Sequence, residues 1–193
     1  IFEFTNIQFN QIDKWVGKNM KVAVKKLDLY ADDINFTKRQ INLNTLTLDE
    51  PIYSMEDYEG NRPDSPSNNS TNPIVEKAGA KVKPTPSPDS TGWVMNVNTI
   101  SINNGSFSNQ VKTDRPAFEG RFDGQHLHFS NITGVLKKVH FEKDSLTAEL
   151  SLRTKERSGL EVKKLQANVK LTPKKMEFNQ LELITNKSRL GNY

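Results

Sequence analysis

Two alternating apolar residues, a polar dipeptide and two more alternating apolar residues recur as a unit along this chain. Phe2, Phe4, Ile7 and Phe9 make the first copy, followed by Val22, Val24, Leu27, Leu29, by Ile41, Leu43, Leu46, Leu48, and by Met95, Val97, Ile100, Ile102. Leu127, Phe129 and Ile132 form a copy whose fourth place is Gly134, and Leu160, Val162, Leu165, Ala167 and Met176, Phe178, Leu181, Leu183 follow. The intervening dipeptides are Thr5-Asn6, Lys25-Lys26, Asn44-Thr45, Asn98-Thr99, Ser130-Asn131, Lys163-Lys164 and Asn179-Gln180. Period-two alternation marks each half as β-strand, so the unit reads as a strand with an interruption at its middle.

In a regular strand, residues three apart point to opposite faces, which would turn the second doublet toward water. A bulge in the polar dipeptide inserts one residue, bends the strand and returns both doublets to one face. Repeated strand after strand, that bend curls the sheet into an open trough with an apolar lining. The competing reading sends each strand around a sandwich corner, which also needs a mid-strand bend. Tight hairpins at the dipeptides fit poorly, because none contains Gly and the arms would be too short. Trough and sandwich both stay open on the pattern alone.

The expected fold class is therefore all-β: an antiparallel, strongly bent meander forming an open β-trough (a β-taco) with one short helix, or alternatively a β-sandwich. The helix is expected within residues 10–18, where Asn10 caps it, Asp13 lies near its positive end, Ile12, Trp15 and Val16 fall at helical spacing, and Gly17 ends it. Strand, turn and strand follow over residues 21–50, with Lys38-Arg39 at the turn. The pattern stops at about residues 57–92, where six of the nine prolines lie, and this stretch reads as a disordered or loop insertion. Regular strands are expected from Phe118 onward, with a hairpin turn at Glu142-Lys143-Asp144-Ser145 and further turns at Ser158-Gly159 and Pro173.

Composition changes this picture little. The 193 residues suffice for one domain, the apolar fraction is 34%, and the net charge of +4 is a mild bias. Basic residues gather at predicted turns such as Thr37-Lys38-Arg39-Gln40 and Thr172-Pro173-Lys174-Lys175, where they keep strand ends solvated or meet anionic groups. Without cysteine there are no disulfides or thiolate metal sites. No apolar run approaches the roughly 20 residues that span a bilayer. Because Ile1 already lies inside a repeat, residues 1–193 read as one β-groove segment of a longer protein.

Catalytic chemistry is not legible. His126 and His128 share a strand face and His140 lies on another, which reads as exposed surface rather than a metal site. The carboxylates are scattered, and no phosphate-binding loop, dinucleotide fingerprint or hydrolase elbow occurs. The expectation is a protein without catalytic residues, metal or cofactor. Nucleic acid is not expected either, because the aromatics follow the apolar phase beside Leu, Ile and Val rather than standing among Lys and Arg.

Three strings carry a likeness. Phe122-Asp123-Gly124-Gln125-His126-Leu127-His128-Phe129-Ser130-Asn131-Ile132, Lys143-Asp144-Ser145-Leu146 and Glu156-Arg157-Ser158-Gly159-Leu160-Glu161-Val162-Lys163-Lys164-Leu165 resemble the TamB branch of the AsmA-like envelope family, as does the terminal Leu181–Leu190 stretch. The likeness is clearest over residues 118–193. It implies a long periplasmic protein, anchored in the inner membrane through a region not present here, whose β-groove modules serve phospholipid transport and outer-membrane assembly. On that reading the partners are phospholipid acyl chains and, through other regions, an outer-membrane assembly protein. The groove lining is then expected from Val22, Val24, Leu27, Leu29, Ile41, Leu43, Leu46, Leu48, Val97, Ile100, Ile102, Leu127, Phe129, Ile132, Leu160, Val162, Leu165, Ala167, Met176, Phe178, Leu181 and Leu183.

Overall fold

The computed structural model describes residues 1–63, 92–113 and 115–191. Among the described residues there is no helix, and the strands are β1 (Phe2–Asp13), β2 (Lys18–Asn35), β3 (Gln40–Asp49), β4 (Ile52–Asp57), β5 (Val94–Val111), β6 (His126–Glu142), β7 (Ser145–Glu156), β8 (Glu161–Thr172), β9 (Lys175–Thr185) and β10 (Arg189–Leu190). They form one sheet in the order β1-β2-β3-β5-β6-β7-β8-β9-β10, with β4 joined to β2 and β5. The pairings β2–β3, β3–β5, β5–β4 and β4–β2 close a four-strand ring, from which the other strands extend on either side.

That ring closes around a break in one lane. β3 and β4 follow one another with only Glu50 and Pro51 between them, and both run antiparallel to β2 and parallel to β5. Gln40 pairs with Val94 and Asp57 with Val111, an offset of 54 residues at both ends, so the break costs no register. Pro51 lacks the amide a continuous ladder would need. Its carbonyl still accepts a hydrogen bond from Ser106 N at 2.8 Å.

The parallel β3–β5 and β4–β5 pairs correct the expected all-antiparallel meander. A parallel neighbour needs a crossover of a dozen or more residues, and the chain between Asp57 and Val94 supplies that length. Elsewhere neighbouring strands are antiparallel, as expected, and apart from β5 and β6, which have residues 112–125 between them, they are joined by short turns. Lys143 and Gly159 take positive φ in two of those turns.

The expected helix is replaced by a hairpin. β1 pairs with β2 up to Asp13↔Lys18, so residues 10–13 are strand and only 14–17 remain for the connection. The Asp13 carboxylate accepts the amides of Trp15 and Val16 at 3.0 and 2.9 Å, and Gly17, at φ +79°, donates to the Asp13 carbonyl. One carboxylate thus satisfies a four-residue turn that strand pairing has already closed. The start of the expected insertion belongs to the fold as well. Tyr58, Asn61 and Arg62 donate backbone hydrogen bonds to Gly17, Lys14 and Trp15, and a Cβ on Gly17 would strike the Tyr58 carbonyl. Residues 64–91 of that insertion lie outside the described residues. Phe118 and Phe122 precede β6 in an irregular, exposed stretch rather than in a strand.

Strand interruptions align across the sheet. One line begins at Asn6 (φ +54°), meets Lys25, passes Glu50 (φ +50°) and Asn104 (φ +52°), and reaches Asn131 (φ +53°) on β6. It continues as register shifts at Leu152/Thr154 and Val162/Lys164. A second line runs from the shift at Ala31/Asp33 through Asn44 and Asn98 to Lys138 (φ +51°), and reappears at Gln180 (φ +54°). All seven polar dipeptides therefore fall on a break in the pairing, as the repeat predicts. A left-handed residue inside a strand reverses the alternation of faces, which is the physical content of the expected bulge.

Reversal puts successive doublets together. Leu43, Val97, Val139 and Ala148 form the buried centre, and Leu46, Ile100 and Leu136, from beyond the second line of breaks, pack against them. Across the first line, a Cβ built on Gly105 would lie 3.3 Å from the Ile102 side chain. Gly134 fills the fourth place of its repeat because β7 passes too close for a side chain, 2.3 Å from the Ser151 oxygen to an ideal Cβ.

Candidate functional site: an apolar face crossed by ladders

Cross-strand register gathers the doublets into rows that span the sheet. Phe4, Leu27, Leu48, Ile102, Gly134, Leu152, Leu165 and Leu183 are successive partners from β1 to β9. A second row joins Phe2, Leu29, Leu46, Ile100, Leu136, Leu150 and Ala167. A third holds Ile34, Ile41, Met95, Phe141, Leu146, Leu171 and Met176. Directly opposed side chains are the unit of sheet stabilisation, so these rows are both packing and surface.

Of the residues expected to line the face, Val24, Leu43, Val97, Leu127, Val162 and Ala167 are buried. Val22, Leu27, Leu29, Ile41, Leu46, Leu48, Ile100, Ile102, Phe129, Ile132, Leu165, Leu181 and Leu183 are half-buried. Leu160, also half-buried, stands in the turn before β8 rather than in a strand. Burial falls away at both margins of the sheet. On β1, Phe2, Phe4 and Phe9 are 52%, 48% and 52% exposed, and on β9 Met176 is 65% exposed.

The sequence pattern missed part of this face. Leu136 and Val139 flank Lys137-Lys138, a further polar dipeptide with a positive-φ residue, which the same repeat signature would have found. Phe9, Val22 and Phe129 belong to the repeat, but nothing in it announces that Tyr53 and Phe107 complete a row with them, or that this row ends on a carboxylate, Glu156. Tyr53 stacks on Phe107 at 5.9 Å between centroids, and Phe107 meets Phe129 at 6.2 Å. Glu156 is 3% exposed; Ser158 N donates to its Oε2 at 2.7 Å, while Oε1 has no hydrogen-bond partner among the described residues. Burial pushes this carboxyl up, but hydrogen bonds from Ser158 and the His128 amide, with the nearby Arg157 charge, hold it below its usual value.

A polar knot secures the lower margin beside β6. The Arg115 guanidinium grips Asp123 with two hydrogen bonds of 2.7 and 2.9 Å, reaches Gln125 Oε1 at 2.7 Å, and lies 4.2 Å from the centroid of the Phe118 ring. Asp123, 4% exposed, also accepts the amides of Phe118 and Gln125 and sits 3.1 Å from His126 Nδ1. The Arg115 hydrogen bonds hold its carboxyl well below the usual range; burial opposes them, and the Gln125 and Phe118 amides assist. A folded-state pKa below the unfolded one contributes stability above about pH 4 that is lost as the pH falls. Asp123→Asn is accordingly expected to cost about 1–2 kcal/mol at pH 7, with Arg115 partly solvated, and to flatten the acid limb of stability. Urea unfolding at pH 7 and at about pH 2 checks this, because the contribution fades only as the pH falls toward the depressed folded-state value; equal losses at both would show that the carboxylate charge is not what holds the stretch.

The histidines are separated by these contacts. His126 belongs to the knot, and His140 Nδ1 lies 2.7 Å from Asn96 Oδ1 on the neighbouring strand. Among the described residues no three His, Cys, Asp or Glu side chains are grouped to hold a metal ion. Among the described residues there is also no helix long and apolar enough to cross a membrane.

Geometry thus defines an all-β protein whose strands share two lines of breaks and one continuous apolar face. No family model matches the chain, and no curated protein matches it.

Proposed function

We propose that the apolar face is the wall of an open β-trough that shelters lipid acyl chains while headgroups stay in water at the rim. What carries this reading is the continuity of the rows combined with exposure of their ends: the Phe4–Leu183 row crosses eight strands, yet its β1 end and the neighbouring Phe2, Phe9 and Met176 remain open. Aligned breaks support a concave wall, because each one bends its strand at the same level as its neighbours. Each large apolar side chain withdrawn from water contributes on the order of 1.5–3 kcal/mol, and soluble proteins rarely leave more than a few hundred Å² of contiguous apolar surface bare. An acyl chain covers such a surface without directional bonds, which permits sliding along it.

In this reading the chain is a non-catalytic segment of a periplasmic, envelope-spanning protein. The TamB-like strings support assignment to phospholipid transport and outer-membrane assembly, with an inner-membrane anchor and an outer-membrane assembly partner engaged through other regions. The alternative, a closed β-sandwich serving as a structural or partner-binding module, is less well supported because the described strands belong to one sheet.

Leu165 is the residue to test, half-buried at the seventh place of the eight-strand row, between Leu152 and Leu183. The purified chain is expected to retain phospholipid in native mass spectrometry and to take up a fluorescent fatty acid stoichiometrically. Leu165→Asp and Val162→Asp are expected to suppress that uptake. A folded Leu165→Asp protein that binds the probe like the parent, or a parent that neither carries nor takes up lipid, would remove the trough reading in favour of the sandwich module.

A further inference from the structure

The first line of breaks has a second consequence, on the opposite, polar face. Where it crosses β6, β7, β8 and β9, three successive pairings slip, at Ser130/Thr133, Leu152/Thr154 and Val162/Lys164. Each slip takes a residue out of the ladder and bends its strand. Together they leave a depression of about 240 Å³, bounded by Asn131 and Thr133 on β6, Arg153 and Lys155 on β7, and Glu161 and Lys163 on β8. Three of those side chains are cationic and one is acidic. Lys155 takes the acid, at 3.6 Å from Glu161. Arg153 and Lys163 are exposed and have no ion-pair or hydrogen-bond partner among the described residues.

Several other lysines on the sheet are neutralised by a neighbouring strand. Lys25, Lys138 and Lys164 each reach a carboxylate across the strand pair, on Glu50, Glu149 and Glu182, at 2.5, 2.6 and 2.6 Å. Lys21 and Lys137 also stand exposed in strands without a carboxylate partner among the described residues; what sets the depression apart is that cations from two adjacent strands, Arg153 and Lys163, border the same concavity. A guanidinium with five fixed donors, an ammonium, an amide and a hydroxyl around one concavity match the acceptors of a tetrahedral oxyanion.

We propose that this depression binds a phosphate group, Arg153 and Lys163 supplying the charge and Asn131 and Thr133 the orienting hydrogen bonds. The site lies on the polar face and does not depend on the trough reading. A phosphomonoester in solution and a phospholipid headgroup present the same chemistry, and the experiment separates them.

Inorganic phosphate is titrated into the ¹⁵N-labelled chain at constant ionic strength, and the amides of Asn131, Thr133, Arg153 and Lys163 are followed. Saturable shifts confined to these residues are expected. The double variant Arg153→Ala/Lys163→Ala is expected to weaken binding by at least about tenfold, the loss of one or two charge-assisted hydrogen bonds. Lys38→Ala/Lys174→Ala, which removes equal charge at two strand turns, is expected to leave affinity within about twofold and controls for the overall field. Competition by phosphatidylglycerol vesicles but not by phosphatidylcholine vesicles would assign the site to an anionic lipid headgroup. Saturation by phosphate without vesicle competition would assign it to a soluble phosphate compound. Shifts that never saturate, or equal weakening in the two double variants, would overturn the proposal. Circular dichroism of each variant establishes that the sheet is intact.

Discussion

Val97→Asp is expected to prevent the sheet from folding, whereas Val135→Asp, thirty-eight residues further on, is expected to be tolerated. Val97 is 1% exposed and lies between Leu43 and Val139 in a buried cluster that Ala148 completes, with further aliphatic side chains packed against it. An unpaired carboxylate there costs several kcal/mol even after relaxation, a large part of the roughly 5–15 kcal/mol that holds a typical domain together. Val135 sits in the other phase of β6, paired with Ser101 and Ser151, so its side chain shares the polar face. Val97→Ala, which only deletes methyl groups, is expected to stay folded with a loss of about 1–3 kcal/mol. Far-UV circular dichroism and urea unfolding of the three variants provide the measurement. A cooperatively folded Val97→Asp protein would mean that the doublets do not converge on one interior.

Replacing Asn131 by valine is expected to be the most damaging change at an exposed position. Asn131 holds φ +53° inside β6. Asn tolerates that left-handed conformation; a β-branched residue pays about 1–2 kcal/mol or more for it. The local strain is only part of the effect. With residue 131 forced back to an extended conformation, alternation would run unbroken, and either Leu127 and Phe129 or Ile132 and Leu136 would turn to the polar face. Asn131→Gly keeps the conformation accessible and is expected to stay within about 0.5 kcal/mol of the parent. Equal stability of the valine and glycine variants would show that the kink is incidental to the fold.

Much of this architecture was legible in the linear pattern because a strand's period is two and any departure from it leaves a mark. Apolar residues three apart, such as Phe4 and Ile7 or Leu43 and Leu46, announced where alternation had to be reversed, and each such place carries a pairing break. Asn6, Asn131 and Gln180 take left-handed backbone at those places. Turn residues were legible for the same local reason: Lys143, Gly159 and the Thr172–Lys175 segment end strands where the pattern expected. Residues 10–18 misled because Ile12, Trp15 and Val16 happen to fall at helical spacing, while the pairing of β1 with β2 runs through to Asp13 and leaves no room for a helical turn. Local spacing cannot compete with eleven opposed residue pairs in one ladder.

The candidate sites divide along the same boundary. The apolar phase of most strands follows from the residues at alternate positions and was readable from them, with Tyr53, Phe107, Leu136 and Val139 missed. The phosphate depression was not, because Thr133, Arg153 and Lys163 are separated by many residues and become neighbours only when three strands slip at one level. The Arg115–Asp123 knot was half visible: its residues are close in sequence, yet the cation over Phe118 and the buried carboxylate come from how the stretch folds back on itself.

By itself the sequence determined that this protein is built of strands, that each strand must break its own alternation, and which residues form the apolar phase, because those properties depend on neighbours a few positions apart. Only the tertiary structure decided that the breaks line up into two lines across the sheet, that β5 returns parallel to β3 and β4, and that Lys164 meets a carboxylate while Lys163 meets none among the described residues. Those outcomes rest on cross-strand register, which is set by many weak pairings acting together and is encoded in no single segment.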